Sequence, residues 1–452
     1  MVAYAELLAS FGVKVPEVFL PAAGTDYAKW AAVACDQYSS EREYWKRAES
    51  LVGGAPSSLS LIFPEAYLED ADAEARIGRI QSTMRDYLSR GLLVPAGDGL
   101  VLVERFTPFE KKPRVGLVLA VDLESYGYGA DSKSLIRPSE GTIVERLPPR
   151  MRIRRAAALE LPHIMLLLDD PGRRAIESVY AARDSLPKLY DFELMLGSGR
   201  VRGWQVADAA LLGALADNIA LLADPAAFRA RYGFAEPLLF AVGDGNHSLA
   251  TAKAVWEEIK AAHAGEAGIM EHPARYALAE LVNVYDEGLP FHPIHRLLSG
   301  IDESEFIGAL EAAPADGLEF EIDRCASPEA AVAAVDAAAS GPAQRVACIS
   351  PAGSLVITFP RPKAKLAAGT LQDFLDPFLK TRPGASIDYI HGTESLLALA
   401  AKPRSLGLYL PPIDKTGFFE TVIRHGVMPR KTFSMGEAPE KRFYIEARKI
   451  VR

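Results

Sequence analysis

Short apolar runs rich in Val, Ile and Leu alternate along the chain with longer stretches whose apolar positions recur every three or four residues. That alternation predicts a mixed α/β fold. Ile77, Ile80, Met84, Tyr87 and Leu88 share one helical face, so a helix is expected over 70–90 with Gly91 as its stop. Strands are expected over 100–106 and 115–121. A polar, glycine-containing stretch, 125–149, follows and is a candidate active loop. The run 163–168 predicts a strand leading through Asp170-Pro171-Gly172 into a helix over 173–183. Gly197-Ser198-Gly199 between 191–196 and 201–206 predicts a β-hairpin. A dinucleotide loop is disfavoured there because the third glycine is misplaced and no helix follows directly. A helix over 207–222 and strands over 238–242 and 276–285 come next. Beyond Leu298 the pattern predicts helices over 303–312, 328–339, 371–380, 394–401 and 415–424. Strands are expected there over 346–350, 355–359, 406–410 and 442–447. The expected division is an N-terminal α/β region, 1–300, and a C-terminal α/β region, 301–452.

Composition narrows the class. Of 452 residues, 49% are apolar and 24% charged, which excludes disordered and fibrous chains. Fifty Lys and Arg against 59 Asp and Glu give a net charge of -9, which argues against a nucleic-acid binder held by phosphate neutralisation. A local site for one small anion stays open. Three separated cysteines, Cys35, Cys325 and Cys348, predict neither disulfides nor a thiolate zinc site. No apolar run reaches the roughly 20 residues of a membrane span, and 1–13 has no basic segment leading into an apolar signal core. A cytoplasmic protein without a membrane partner is expected, its oligomeric state open.

The densest chemistry lies at Gly243-Asp244-Gly245-Asn246-His247-Ser248, between a buried-strand run and a helical pattern carrying Leu249, Ala252, Trp256 and Ile259. Glycines allow positive φ and close approach of a ligand. The starting helix offers free N–H groups and the positive end of its dipole to a phosphate. Asp244 could accept a hydroxyl proton and His247 donate to a phosphoryl oxygen. Equally, Asn246 or Ser248 could cap the helix and Asp244 could be a turn residue.

Here the chain resembles, over nearly its whole length, a group of uncharacterised bacterial and archaeal proteins known as domain-of-unknown-function family ten-fifteen. The resemblance rests on Ala34-Cys35-Asp36-Gln37-Tyr38 within 30–45, on Ile136-Arg137-Pro138-Ser139-Glu140-Gly141-Thr142 within 134–150, on 159–170, on 240–252, on 283–297, and on Met428-Pro429-Arg430-Lys431-Thr432. A more distant similarity reaches the ParB-like and sulfiredoxin-like superfamily, which includes free-serine kinases using ADP or ATP. It implies a ParB/sulfiredoxin-like core elaborated by additional strands and helices. Many of those proteins carry an Asp-Gly-His-His-Arg-like turn. Asp244, Gly245 and His247 match it; Asn246 and Ser248 replace its first His and its Arg, so another cation must supply the charge that binds nucleotide phosphates.

Other segments offer candidates for the same pocket. Arg137, Glu140, Thr142, Glu145, Arg146 and Arg150 mix guanidinium, carboxylate and hydroxyl groups that could grip an anion and supply a base through Glu140, or form a solvated loop of ion pairs. Arg430 or Lys431 could neutralise phosphoryl charge, or complement the dipole of a preceding helix. His295 and Arg296 could reach the pocket from the end of a strand. No metal site is expected, since His292 and His295 lack a third ligand. Asp36 and Gln37 could add polar groups, while Cys35 is expected to be a small buried residue rather than a nucleophile.

Walker, protein-kinase, Gly-x-Ser-x-Gly and His-Glu-x-x-His signatures are absent from the sequence. Three readings follow. The first is a small-molecule phosphotransferase resembling free-serine kinases, with ATP or ADP and Mg²⁺, acting on a small hydroxy amino acid or related acid. In it Asp244, His247 and Glu140 are catalytic; Gly243, Gly245, Asn246, Ser248 and the cations named above bind phosphate or substrate. The second is a non-catalytic sensor of a nucleotide or small anion. The third, a ParB-like DNA-associated protein, is disfavoured by the net charge.

Overall fold

The computed structural model describes residues 3–129, 131–312, 318–338, 341–428 and 431–452. The chain is a mixed α/β protein whose described residues divide into two units. The first comprises the chain up to Leu289 together with Gly436–Arg452, and the second is Pro290–Met435.

In the first unit, the apolar runs form β1 (Leu100–Phe106), β2 (Arg114–Asp122), β3 (Ile136–Pro138), β4 (Met165–Leu168), β5 (Lys188–Glu193), β6 (Arg200–Val206), β7 (Phe240–Asp244) and β8 (Tyr276–Asn283). They lie in one sheet in the order β5-β6-β1-β2-β8-β4-β7-β3, with Val13–Lys14 pairing on β2 as a ninth strand. The pairs β8–β4 and β7–β3 are parallel and the others antiparallel. Every residue of β2 is buried, as a strand covered on both faces requires. Its Leu117, Leu119 and Val121 enter one core; Val118 enters the other.

Helices supply both covers. Apolar faces of α1 (Arg42–Val52) and α2 (Ala73–Ser89) bring Trp45, Ala48, Ile77, Ile80 and Met84 to the core that holds Val118. On the other side, α4 (Ile176–Ala181), α5 (Ala209–Ala223) and α6 (Asn246–Ala262) bury Ile176, Leu212, Leu215, Ile219, Leu249 and Trp256. Between β3 and β4 the chain forms α3 (Leu147–Arg155), which packs along α6. No single helix among the described residues is long and apolar enough to cross a membrane.

The second unit carries a six-stranded antiparallel sheet of β9 (His295–Ser299), β10 (Glu321–Cys325), β11 (Gln344–Ser350), β12 (Gly353–Phe359), β13 (Ser386–Ile390) and β14 (Ser405–Tyr409), ordered β10-β12-β11-β14-β9-β13. On one face Phe306, Leu371 and Phe374 pack from α7 (Glu303–Ala312) and α9 (Ala367–Lys380). On the other, Val335 and Leu396 pack from α8 (Pro328–Asp336) and α10 (Thr393–Ala400).

Two sequence expectations change. The division falls after Leu289 rather than at 300, because β9 pairs with β13 and β14 and so belongs to the second sheet. The last segment is not part of the C-terminal region: Phe443–Tyr444 pairs with Ala32–Val33, and Arg448–Lys449 pairs with Leu159–Glu160. One strand over 442–447 is therefore replaced by two short ones, since the backbone leaves one partner for another.

Candidate functional site

Three chain segments meet at the carboxyl end of β7. Gly245 follows Asp244 with φ +78, and a Cβ there would stand 3.0 Å from the Ile164 Cα. Only glycine fits both the conformation and the approach. The helix α6 starts at once, and its cap residue Gly245 supplies no side-chain hydrogen bond. Alongside, β3 runs parallel to β7 and releases its loop at the same end. There the Ser139 N–H donates to the Val242 carbonyl at 3.1 Å, and the Ile143 N–H donates to His247 Nε2 at 3.3 Å. Antiparallel β4 begins at Met165, opposite Asp244, so His163 arrives from the third side.

Asp244 is held from two directions. Its Oδ1 accepts from the Gly245 N–H at 2.9 Å and its Oδ2 faces Lys441 Nζ at 3.1 Å. Burial pushes this carboxyl up, but Lys441, His163 and the Gly245 N–H outweigh burial and hold it below its ordinary value. His247 is shifted down by burial and then by the charges of Arg150 and Arg146; the bond it accepts from Ile143 likewise requires an unprotonated Nε2.

A second polar chain adjoins the turn. Ser248 Oγ lies 2.9 Å from His163 Nε2, His163 Nδ1 lies 2.7 Å from the Tyr444 hydroxyl, and Tyr444 accepts from the Cys35 N–H at 3.2 Å. Asp36 Oδ2 stands 3.8 Å from His163 Nε2. Arg150 pairs with Glu65 and donates to the Arg146 carbonyl at 2.7 Å. Burial raises the Glu65 carboxyl and Arg150 opposes that shift. Burial, then Asp36, pushes the Cys35 thiol up, which leaves it inert as a nucleophile.

Arg137 is 8% exposed and Ser139 is fully buried. Arg137 Nη1 donates to the Ser132 carbonyl at 3.3 Å, while its Nε and Nη2 and the Ser139 hydroxyl have no hydrogen-bond partner among the described residues. Among the described residues no carboxylate forms an ion pair with Arg137. Burial lowers its pKa, the expected response of a guanidinium short of counter-charge. Asn246 Oδ1 is also buried without a partner. Glu140 and Thr142 are half-buried in the same loop, and Arg146 is exposed.

Asp36, Arg137, Glu140, Thr142, Arg146, Arg150, Gly243, Gly245, Asn246, His247 and Ser248 all lie in the first unit; Arg146, Arg150 and Asp36 act on His247, whereas the Arg137 guanidinium turns back from β3 to the Ser132 carbonyl, with Glu236 the carboxylate acting on it. His295 and Arg296 are sheet residues of the second unit. His295 Nδ1 accepts from the Leu410 N–H at 3.1 Å and its ring stacks on Tyr409; Arg296 lies over Tyr389 and donates to the Lys431 carbonyl at 2.9 Å. Lys431 belongs to the second unit as well, and Arg430 lies outside the described residues. The cation at Asp244 is Lys441. Sequence reasoning missed Lys441, His163, Tyr444 and Glu65. His163, between Pro162 and a buried strand, was the one signal available. Among the described residues no three His, Cys, Asp or Glu gather to hold a metal ion.

The family described as "Protein of unknown function (DUF1015)" matches residues 19–377. No curated protein matches the chain. Among solved structures, a conserved hypothetical protein from Pyrococcus furiosus is 13% identical, with 73% of this chain and 95% of that one covered and a TM-score of 0.35. A free serine kinase in complex with AMP is 10% identical, with coverages of 74% and 91% and a TM-score of 0.36. SbnI with a C-terminal truncation, from Staphylococcus aureus, is 9% identical, with coverages of 73% and 82% and a TM-score of 0.32. At these identities and scores the likenesses carry nothing about chemistry.

Proposed function

We propose, proceeding from the fact that this chain belongs to the DUF1015 family, that the Asp244 turn and the β3 loop bind a nucleotide, ATP or ADP, and pass a phosphoryl group to or from a small hydroxyl-bearing molecule. The observation that carries this reading is Arg137, a buried guanidinium with two nitrogens that find no partner among the described residues, two residues from the buried hydroxyl of Ser139, which finds none there either. A charge in that condition is costly unless an anion joins it. The start of α6 beside that loop is a second anion-favouring feature. On this reading Arg137, Ser139 and the first N–H groups of α6 hold phosphates. Lys441 offsets transferred charge in the place of the arginine that Ser248 replaces, and ionised Asp244 fixes Lys441 in position. Magnesium arrives on the nucleotide's own phosphates.

The test is ligand-induced thermal stabilisation with ATP, ADP, AMP, serine, phosphoserine and Mg²⁺, since a ligand that binds only the native state raises Tm. ATP or ADP raises Tm, and Arg137→Met removes that rise. Asp244→Asn keeps the fold and lowers turnover about a hundredfold or more. No shift with any nucleotide at millimolar concentration overturns the reading. A non-catalytic sensor is the second reading, favoured by the engagement of Asp244 with Lys441; it predicts the same Tm rise with no nucleotide consumed.

A further inference from the structure

A cavity of about 150 Å³ adjoins the turn, in the first unit. Leu61, Phe63, Met84, Ile153, Leu161 and Leu278 form its apolar wall, and His163, Ser248 and Tyr444 close one end. An apolar cavity of roughly this size admits a molecule as large as benzene. Its charged lining residues are already matched, Arg150 with Glu65 and Arg154 with Glu160 at 2.6 Å. Among the described lining residues no Arg, Lys, Asp or Glu is left over to meet a ligand's carboxylate or ammonium group, which would have to be desolvated without such a partner.

The polar end has the make-up of a proton acceptor site. Tyr444 fixes the His163 ring through Nδ1, and Nε2 points toward Ser248. With the Nδ1 proton donated to the Tyr444 oxygen, the one lone pair of Nε2 accepts from the Ser248 hydroxyl at 2.9 Å. The Ser248 hydroxyl retains capacity to bond a ligand hydroxyl as well.

We infer that this cavity binds the acceptor of the transfer proposed above, and that the acceptor is an alcohol with an uncharged apolar body whose hydroxyl meets His163 and Ser248. The inference rests on the phosphotransfer reading for the reaction but not for the binding. In the step, the alcohol oxygen forms a bond to the terminal phosphorus of the nucleotide; its proton passes to the Ser248 oxygen as the Ser248 proton passes to His163 Nε2. The bond from that phosphorus to the bridging oxygen breaks, and its electron pair leaves with the shortened nucleotide. His163 then returns the proton to solvent.

The experiment is ligand-observed NMR on the full chain without nucleotide, using benzyl alcohol, 3-methylbutan-1-ol and serine as probes. Both alcohols bind and serine does not. Leu161→Trp and Ile153→Phe, which enlarge two residues of the lining, each weaken the alcohols about tenfold or more, with unchanged melting showing that the fold persists. Adding ATP and Mg²⁺ yields the alkyl phosphate, and His163→Gln abolishes that product. Failure of both alcohols to bind, binding of serine in their place, or unaltered affinity in both filled variants overturns the cavity assignment. Alcohol binding without any nucleotide binding preserves the cavity's ligand class and overturns the phosphotransfer.

Discussion

His295 is 2% exposed, and its Nδ1 accepts a backbone hydrogen bond that a protonated ring cannot accept. Burial, then the charges of Arg296 and His391, lowers its pKa from 6.5 to about 4. Below the unfolded value the unfolded chain takes up a proton that the folded chain refuses until about pH 4. Stability from this residue is therefore complete above pH 6.5 and is lost as pH falls toward 4, by about 3 kcal/mol. Urea unfolding of the wild type and of His295→Gln across that interval checks this: the variant loses less stability on acidification. Asp244, His247 and Ser248 were readable in the sequence because strand, turn and helix that frame them are contiguous. His163 and Tyr444 bond each other across 281 positions, and Lys441 reaches Asp244 from the same distant segment. Periodicity is local and carries no information about such pairs.

At the scale of elements, strongly periodic segments were found where the pattern placed them. The expected helix 70–90 is Ala73–Ser89, and the strand 100–106 is Leu100–Phe106. Glu321–Cys325 and Ser386–Ile390 escaped notice because both are sheet-edge strands that bury little, and their polar residues give no apolar run. Short α3 was hidden in the polar loop by Pro148 and Pro149 at its first turn, where proline is tolerated. The junction of β7 and α6 depends on one residue. Gly245→Ala places a side chain in the left-handed region at a cost of about 1–2 kcal/mol, and its Cβ presses on Ile164. Thermal melting and nucleotide titration of this variant should show a Tm lower by a few degrees and weakened binding, because the first turn of α6 shifts with the strain.

At the scale of the whole molecule, the unexpected feature is the return of Gly436–Arg452 to the first unit. Arg442 is its anchor. The guanidinium is 4% exposed and pairs with Glu280 and, at 2.6 Å, with Glu446, both fully buried. Arg442→Met leaves two buried carboxylates short of their cation, a loss of about 3–5 kcal/mol. Urea unfolding followed by circular dichroism measures it, and the double change with Glu280→Met recovers part of the loss. No compositional shift marks this return, since a buried arginine and its glutamates read in sequence like any surface ion pair.

Synthesis gives that return a further consequence. A ribosome completes the sheet of the first unit and then makes all of the second before Lys441, Arg442 and Tyr444 exist, a delay of roughly ten seconds or more. Throughout it Glu280 waits beneath the sheet without Arg442, the indole of Trp30 lacks the Ile445 carbonyl it donates to at 2.9 Å, and Asp244 has no lysine. Until the segment 436–452 is made, Ala32–Val33 and Leu159–Glu160 likewise lack the strands that pair with them, so the first unit closes in two stages separated by the synthesis of the second.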